Sequence, residues 1–520
     1  MKKNNVLVKQ VLMSILTAGI LTFGLTACSD DSDFLSETDT RSVSTEPAKE
    51  LADYAVLIYG HGSLMASLDL DITKNIYDCY TADSASHEKV KVAVQYKWTN
   101  PRNLKNSLKL EHFFTDFEKL TPEEKEFAKS HGSTAVRFVL DPAQKGNDPE
   151  EGKIYLGTKQ MLEAPQFGEK GFDMSTPDSL TNFINWAVKA CPAKHYMLVV
   201  SSHGGGYLPE TDNSFRTPGQ GSETRSVMPD ADSGKEISAY ELKAALEAAD
   251  RKMDILFLDA CLMNMMEVEY ELRNVTDYII ASSFPVPGMG GNYRTLINEL
   301  AKGNAMETAL SNFCEANKDS WDELYKNISG GNYYDQSVIR TSSLDAYAAK
   351  IRDFTDRLTD AYTNGGDELR KKIDLCTAAV VKIEEEYPFY DFDSYLALIT
   401  TALPEYFPSG SYEDIRNSYE QCLVKRFSSP NLEKYGYKIG LSCLLGYEGH
   451  YDLFAWERSE EGVWTVKKSI TRDADLANTY QRLEWDHATG WSRWLLLNKQ
   501  KPSPFCYFNT AYEPNDVIKY

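Results

Sequence analysis

Two short runs of this sequence, residues 196–201 and 255–258, are almost continuously apolar, and they restrict its possible folds more than any other feature. A strand that faces water on one side alternates apolar and polar residues, whereas these runs have no polar side. Both faces of their sheet must therefore be covered, which is typical of parallel strands between two layers of helices.

The segments around these runs alternate between strand-like and helix-like patterns. Further β-rich runs of strand length occupy residues 54–59, 90–96, 135–140 and 278–281. Residues 179–190 and 238–249 repeat apolar residues with a helical period, and Ser238 with Glu241 has the spacing of a capping box. The alternation predicts an α/β sandwich whose crossover helices lie on both faces of the sheet.

The pattern changes beyond about residue 335. Helical periodicity dominates residues 343–362, 367–386 and 394–403, and a short strand-like run follows at 438–444. A chain of 520 residues is also long for a single domain. We therefore predict an α/β domain over residues 51–335 and a smaller α+β region over residues 336–520.

The first 50 residues predict export and attachment to a membrane. Three lysines among the first nine residues precede an apolar stretch, 11–25, of signal-peptide length. The stretch ends in Leu-Thr-Ala-Cys, which resembles a bacterial lipobox, so residues 1–27 are the expected signal peptide and Cys28 the lipidated residue. An ordinary signal peptide with an incidental cysteine is the alternative. The polar, acidic residues 28–50 predict a flexible tether.

Acidic residues directly after Cys28 refine this expectation. They resemble the signal that sends some Bacteroidetes-type lipoproteins to the cell surface. The expected location is therefore lipid-anchored, at the bacterial outer membrane or the cell surface.

Composition excludes two classes of site. The formal net charge is −22, whereas a nucleic-acid binder needs a basic face to displace counterions. The nine cysteines include no Cys-x-x-Cys pair and the histidines show no metal-ligand spacing, so no zinc or redox site is predicted.

Two predicted strand ends carry the residues with catalytic chemistry. One run ends in Ser-Ser-His203-Gly204-Gly-Gly and the other in Asp259-Ala-Cys261. Ligands of open α/β sheets bind beyond the carboxyl ends of the strands. A thiol needs a nearby imidazole to lose its proton, and glycines let backbone N–H groups approach a substrate carbonyl. A buried inert cysteine and a histidine that ends a strand in a turn are the alternative interpretation.

Both strand-end motifs resemble those of clostripain-like cysteine peptidases. Residues 193–206, with His203, resemble the histidine motif, and residues 254–268, with Cys261, resemble the cysteine motif. Residues 286–290 and Tyr293 resemble the loop that follows the cysteine in that family. Caspases likewise place their histidine about 50 residues before the cysteine.

The resemblance implies a fold, a mechanism and a specificity. The fold is an α/β, caspase-like three-layer sandwich around a mostly parallel sheet, here with a C-terminal α+β region. His203 is the implied base and Cys261 the nucleophile, without an essential third residue, and the backbone N–H groups of Gly204 and Cys261 form the oxyanion site. The family prefers Arg or Lys before the scissile bond, and Asp259 matches its acidic position. A strand-end aspartate that caps the next helix is the alternative for Asp259.

The segment 207–236 is rich in Gly, Pro, Ser and Asp, and family members can activate themselves by cutting here after a basic residue. Arg216, Arg225 and Lys235 are the basic residues of this predicted exposed, cleavable loop. Asp230 and Asp232 are further carboxylates expected near the rim of the crevice.

The chain departs from the family pattern at several places. His61 ends the first strand, where the family has an apolar residue and an acid, so His61 is a second candidate histidine at the site. Ser282 and Ser283 lie where relatives often have a glutamate nearby, and Gly291 replaces a common aromatic, which puts a strict Arg or Lys preference in question. A calcium requirement is known in the family, but no Asp-x-Asp-x-Asp-Gly loop places the ion, and no organic cofactor is expected.

The leading hypothesis is an exported cysteine endopeptidase that acts on proteins or peptides, is anchored through Cys28 and is activated by cleavage within 207–236. The alternative is a non-catalytic surface lipoprotein that binds peptides or glycans. A third hypothesis is transpeptidase or ligase chemistry at the same cysteine.

Overall fold

The structure is a computed structural model. It describes residues 51–62, 68–97, 135–145, 160–161, 166–167, 172–207, 227–230, 233, 235–326, 332–383, 389–434, 436–437, 440–445, 456–458, 464–466 and 480–498. The signal peptide, Cys28 and the tether all lie outside these residues. Those from Leu51 onward form one compact unit.

A nine-stranded mixed sheet lies at its centre, in the order β10-β8-β7-β6-β5-β1-β2-β3-β4. Strands β7, β6, β5, β1 and β2 run parallel, and antiparallel strands extend both edges. The strands of this sheet are β1 (Ala52–His61), β2 (Val90–Lys97), β3 (Ala135–Val139), β4 (Gln166–Phe167), β5 (Ala193–Ser201), β6 (Met253–Asp259), β7 (Thr276–Ala281), β8 (Asp335–Arg340) and β10 (Leu423–Ser428). Two small antiparallel pairs are β9 (Phe389–Asp391) with β11 (Ser442–Leu444), and β12 (Trp456–Arg458) with β13 (Trp464–Val466).

Helices cover both faces of the sheet. They are α1 (Asp69–Tyr80), α2 (Ser84–Lys89), α3 (Pro177–Ala190), α4 (Ala239–Glu247), α5 (Met266–Leu272), α6 (Tyr293–Ala301), α7 (Met306–Tyr325), α8 (Leu344–Asn364), α9 (Gly366–Ala379), α10 (Phe392–Ala402), α11 (Ser411–Glu420), α12 (Pro430–Lys434), α13 (Glu484–Thr489) and α14 (Trp491–Leu497). No helix of the described residues is both long and apolar enough to cross a membrane.

Alternation along the central strands produces two separate cores. In β1, Leu57 and Tyr59 point into one core, whereas Val56 and Ile58 point into the other. The first core packs against α3, α4, α5 and the helices after residue 340, and the second packs against α1, α6 and α7. This two-sided burial explains the continuously apolar runs and confirms the predicted three-layer α/β architecture.

The six strands predicted from the sequence are β1, β2, β3, β5, β6 and β7, and the helices predicted at 179–190 and 238–249 are α3 and α4. Ser238 and Glu241 form the predicted capping box at the start of α4.

One helix prediction was too long. The helix predicted over 367–386 ends at Ala379, and Val380 is extended, with ψ 143°. Lys382 then forms a β-bridge with Tyr390. Val380 and Val381 continue the helical period of the sequence. They are nevertheless extended, because strand β9 is available as a hydrogen-bonding neighbour and β-branched residues favour extended backbone.

The predicted division between 51–335 and 336–520 falls at Asp335, the first residue of β8. Strands β8 and β10 extend the same sheet beyond β7. Both strands have only six residues, and β8 lies between two long helices, α7 and α8, so helical periodicity dominates the sequence signal there.

Candidate active site

The two strand ends predicted to carry chemistry are neighbours. Strands β5 and β6 are parallel, with Ser201 opposite Asp259, and the amide of Ser202 donates to the carbonyl of Asp259 at 3.3 Å. His203 and Cys261 each follow two residues beyond this register pair. Since neighbouring strands are about 4.8 Å apart, both side chains leave the sheet at the same edge.

Gly204 brings the histidine segment against the backbone of the nucleophile. A Cβ atom at Gly204 would lie 2.4 Å from the carbonyl oxygen of Cys261 and 3.1 Å from its amide nitrogen. Only glycine permits that approach. The two backbone groups expected to form the oxyanion site are therefore adjacent.

The turn after Cys261 is sharp. Leu262 has a φ of 64°, in the left-handed region that residues other than glycine rarely occupy. Its amide donates to the carbonyl of Phe284 at 3.2 Å, which helps to hold this conformation. Backbone strain at one residue is stable only where the surroundings fix it, and here it directs the chain away so that Cys261 remains at the crevice.

A backbone amide from the following loop contacts the sulfur. The N–H of Val286 donates to Sγ of Cys261 at 3.3 Å. A hydrogen bond to sulfur favours the thiolate over the thiol, because it stabilises the negative charge. The loop that begins at Val286 therefore lies directly beside the nucleophile.

His203 is held by its backbone and has an unpaired ring nitrogen. Its carbonyl accepts from the amide of Met228 at 3.2 Å. Nε2 is buried and has no hydrogen-bond partner among the described residues. Burial lowers the pKa of His203 to about 4, so the imidazole is neutral at neutral pH and can take a proton from a thiol.

His61, the second candidate histidine, belongs to a different cluster. Its Nδ1 is 2.6 Å from the carbonyl oxygen of Lys97, and its Nε2 is 4.0 Å from Oδ2 of Asp230. The ammonium of Lys97 donates to both oxygens of Asp230, at 2.9 and 2.7 Å. Burial opposes ionisation of Asp230, but the charges of His61 and Lys97 outweigh it and hold the pKa of that carboxyl below its usual value.

Asp230 was expected at the crevice rim, and that expectation was wrong. The carboxyl is fully buried and also accepts from the amide of Met174 at 2.8 Å. A buried carboxylate requires a cation, and Lys97 supplies it from the end of β2. Asp232, the other expected rim carboxylate, lies outside the described residues.

Asp259 is buried beneath the loop that follows the nucleophile. Its Oδ2 accepts from the hydroxyl of Tyr293 at 2.7 Å and from the amide of Gly291 at 3.5 Å, whereas Oδ1 has no partner among the described residues. Burial raises the pKa of Asp259 to about 6. The alternative role of helix cap does not apply to the next helix, α5, because its N-cap position is Met265 and no side chain caps it.

The C-terminal region holds the far side of the nucleophile turn. The side-chain amide of Asn264 donates to the carbonyl of Gly440, and the amide of Ser442 donates to the carbonyl of Asn264 at 3.2 Å. The hydroxyl of Ser283 donates to the same carbonyl at 3.0 Å. Residues more than 170 positions apart therefore fix the turn that carries Cys261.

Most of the predicted cleavable loop lies outside the described residues, including Arg216 and Arg225. Two described residues within the loop are anchored. Val227 forms β-bridges with Gly204 and Ile237, and Met228 donates to His203. The chain after position 226 is thus attached to the histidine segment itself.

In the described part of the chain, no group of three or more His, Cys, Asp or Glu side chains is arranged to hold a metal ion. No step below depends on calcium, and calcium dependence stays a prediction.

Sequence reasoning missed two contacts at this site, the amide of Val286 on the sulfur and the carboxylate of Asp71 against Gly288. It also missed Lys97, the cation of the separate Asp230 cluster. For Asp71, the Gly-Met-Gly spacing of residues 288–290 was the available signal, because closely spaced glycines indicate places where other groups approach the backbone.

The chain resembles one family of known proteins. Residues 155–442, more than half of the chain, match the model of the clostripain family, peptidase family C11. Clostripain from Hathewaya histolytica is 23% identical over 247 residues, which are 43% of this chain and 44% of clostripain. The chain thus aligns with less than half the length of that relative.

Two solved structures share the fold. A secreted C11 cysteine protease from Bacteroides thetaiotaomicron, "iotapain", has a TM-score of 0.51 and 15% identity over 85% of this chain and 99% of its own. An inactive zymogen C11 protease from Parabacteroides distasonis has a TM-score of 0.50 and 17% identity over the same shares. With the strand order and the paired strand ends described above, these matches show that the chain has the caspase-like fold and belongs to the clostripain family.

Proposed function

We propose that this protein is a cysteine endopeptidase that cleaves peptide bonds after Arg or Lys, with Cys261 as nucleophile and His203 as base. The observation that carries the proposal is the contact between the two strand ends, where the Gly204 backbone packs against Cys261 and the described residues leave Nε2 of His203 without a partner. The family membership supports the same chemistry.

The residues present account for each step of hydrolysis. His203 takes the thiol proton as Sγ of Cys261 bonds to the scissile carbonyl carbon. The N–H groups of Gly204 and Cys261 stabilise the oxyanion. The C–N bond then breaks as His203 gives the proton to the leaving amine, which leaves a thioester. Water attacks the thioester, His203 accepts its proton and returns it to Sγ, and the carboxylic acid product leaves.

The preference for Arg or Lys rests on Asp259. It lies two residues before the nucleophile, and its buried Oδ1 finds no donor in the described part of the chain, which is unfavourable for a carboxylate oxygen. An arginine or lysine side chain would supply the missing donor and a compensating charge.

Export and a lipid anchor on Cys28 are part of the same proposal; a secreted protein of the same fold supports the export, and the lipobox-like sequence supports the anchor. Self-cleavage within 207–236 is supported by the relative described as an inactive zymogen. Since Val227 and Met228 are bound to the histidine segment, we expect the two fragments to stay together after a cut at Arg216 or Arg225.

The test uses residues 29–520 and the Cys261→Ala variant, with fluorogenic peptides that carry Arg, Lys, Asp or Asn before the reporter. Each peptide is assayed with and without added calcium, and we expect turnover of the Arg and Lys peptides and none by the variant. Turnover of only the Asp or Asn peptides would retain the peptidase and remove Asp259 from its role.

The same assay separates the two other hypotheses. A binding lipoprotein would turn over none of the four peptides, even after the 207–236 loop is nicked with an added protease. A transpeptidase would transfer the acyl group to an added amine in preference to water.

A further inference from the structure

The side chain of Asp259 lies beneath the post-cysteine loop, and only one of its two oxygens has a hydrogen-bond donor among the described residues. Its side chain is 6% exposed, Tyr293 and Gly291 both bind Oδ2, and Oδ1 has no partner among the described residues. Nearly all buried carboxylate oxygens in proteins are paired. An unpaired one this close to a nucleophile indicates a place for a donor that arrives with a ligand.

The loop over this pocket contacts the nucleophile and two carboxylates in succession. Val286 donates to Sγ of Cys261 at 3.3 Å. A Cβ atom at Gly288 would lie 2.9 Å from Oδ2 of Asp71, and one at Gly290 would lie 2.5 Å from Oδ2 of Asp259. Gly290 follows Val286 by four residues, which span at most about 14 Å, so the loop contacts both carboxylates within that length of chain from its contact with the sulfur. Glycine at both positions leaves no side chain between the loop and the carboxylates.

We propose that Asp71 is a second specificity-determining residue, which forms with Asp259 a two-carboxylate pocket for the basic side chain that precedes the scissile bond. The inference rests on the proposed function and extends it to a residue on α1, far in sequence from both catalytic motifs.

Electrostatics agree with this placement. The negative charge of Asp71 adds to burial in raising the pKa of Asp259, so the two carboxyl groups are close enough to repel each other. Like charges that share a site disfavour ionisation until a cation enters. A basic side chain therefore gains from both carboxylates, and a neutral one gains from neither.

The pocket favours arginine over lysine. A guanidinium carries five N–H donors in a planar fork and can engage two carboxylates, whereas an ammonium is a compact charge that one carboxylate can satisfy. Asp71 therefore contributes more to the recognition of arginine than to that of lysine.

A structural role is the competing explanation. Asp71 lies in the first turn of α1, where an acidic residue interacts favourably with the helix dipole. If Asp71 has only that role, its replacement lowers the melting temperature and affects charged and neutral substrates equally. A loss of activity confined to charged substrates therefore separates the two explanations.

The experiment measures kcat/KM of the Asp71→Asn variant and of the unsubstituted protein on three peptides. The peptides differ only in the residue before the scissile bond, which is arginine, lysine or citrulline. Citrulline has the shape of arginine without the charge. We expect Asp71→Asn to lower kcat/KM about tenfold for arginine, less for lysine and not at all for citrulline. Asp71→Glu should recover part of the loss. The acidic limb of the arginine pH profile should also move to lower pH, because the charge that raises the pKa of Asp259 is gone.

Asp78→Asn is the matched control, because Asp78 lies on the same helix and pairs at the surface with Arg294 at 3.6 Å. It should leave all three peptides unchanged. Equal losses on all three peptides in Asp71→Asn, or a lower melting temperature alone, would show that Asp71 is structural. If Asp259→Asn abolishes the arginine preference while Asp71→Asn does not, the proposed function stands and this inference fails.

A binding measurement keeps the test decisive if the chain turns over none of these peptides. The Cys261→Ala variant is titrated with labelled arginine and citrulline peptides and followed by fluorescence anisotropy. Tighter binding of the arginine peptide that Asp71→Asn removes supports the inference. Equal affinity for the two peptides overturns it.

Discussion

Two neighbouring strands of the sheet end in a histidine, and the surroundings of those histidines differ. At the end of β1, His61 lies against the carbonyl of Lys97 and near Asp230, inside a buried cluster with its own ion pair. Two residues beyond β5, His203 lies beside the strand that leads to Cys261, and no described residue pairs with its Nε2. Both histidines thus lie at the carboxyl ends of central strands. The hydrogen-bond partners of their ring nitrogens distinguish the structural histidine from the reactive one.

The comparison predicts opposite effects for the two histidines. His203→Ala should lower kcat/KM by about 10²–10⁴-fold, because a positioned acid–base group contributes that much, with little change in melting temperature. His61→Ala should lower the melting temperature and retain most of the turnover, because it removes a buried group that contacts Lys97 and Asp230 rather than the nucleophile. Activity lost equally in both variants, with both folded, would contradict the assignment.

The ion pair beneath His61 allows a second test. Asp230→Asn should lower the free energy of unfolding by about 3–5 kcal/mol, because it leaves the buried ammonium of Lys97 without its counter-charge. Chemical denaturation of the Cys261→Ala background measures this without interference from self-cleavage.

Asp53→Asn is the matched control for Asp230→Asn. Asp53 pairs with Lys194 at 2.6 Å on the surface, where an ion pair contributes about 0–1 kcal/mol. Similar losses in the two variants would mean that the Lys97–Asp230 pair does not stabilise the end of β1.

Residues in local sequence patterns could be predicted from the sequence. Contacts between residues that are distant along the chain could not. Continuous apolar runs and motif spacing are local, so β5, β6, His203 and Cys261 were predictable. The pairing of Lys97 with Asp230 joins residues 133 positions apart, and each looks like a surface charge in isolation. Strand β8 was hidden for the same reason, because its six residues lie between long helices and gain their pairing only from β7 and β10.

Buried carboxyl groups extend the comparison to the helix after the nucleophile. Asp230 has a cation beside it, whereas the described residues give Glu269 on α5 a single donor, the hydroxyl of Tyr419, which lies 2.9 Å from Oε1. Burial, with a small contribution from the charge of Glu267, raises the pKa of Glu269 to about 8. One buried acid is therefore ionised in the folded protein at neutral pH, and the other holds its proton.

The two acids consequently give pH dependences of opposite sign. The folded chain keeps a proton on Glu269 that the unfolded chain releases above its ordinary pKa of 4.5. The stabilisation is complete below that pH and is lost as pH rises towards 8, at about 1.4 kcal/mol per pH unit. Asp230, with its lowered pKa, loses its contribution only as the pH falls below the ordinary range of an aspartate.

Glu269→Gln should therefore flatten the decline of stability between pH 5 and 8, because the amide mimics the protonated acid and still accepts from Tyr419. Melting temperature measured across this range in the Cys261→Ala background tests it, with the exposed Glu420→Gln on α11 as control. Since Glu267 also titrates near pH 7, the decline should shrink rather than vanish. An unchanged decline would mean that Glu269 ionises freely in the folded protein, and that the helix behind Cys261 packs against the C-terminal region without needing a neutral acid there.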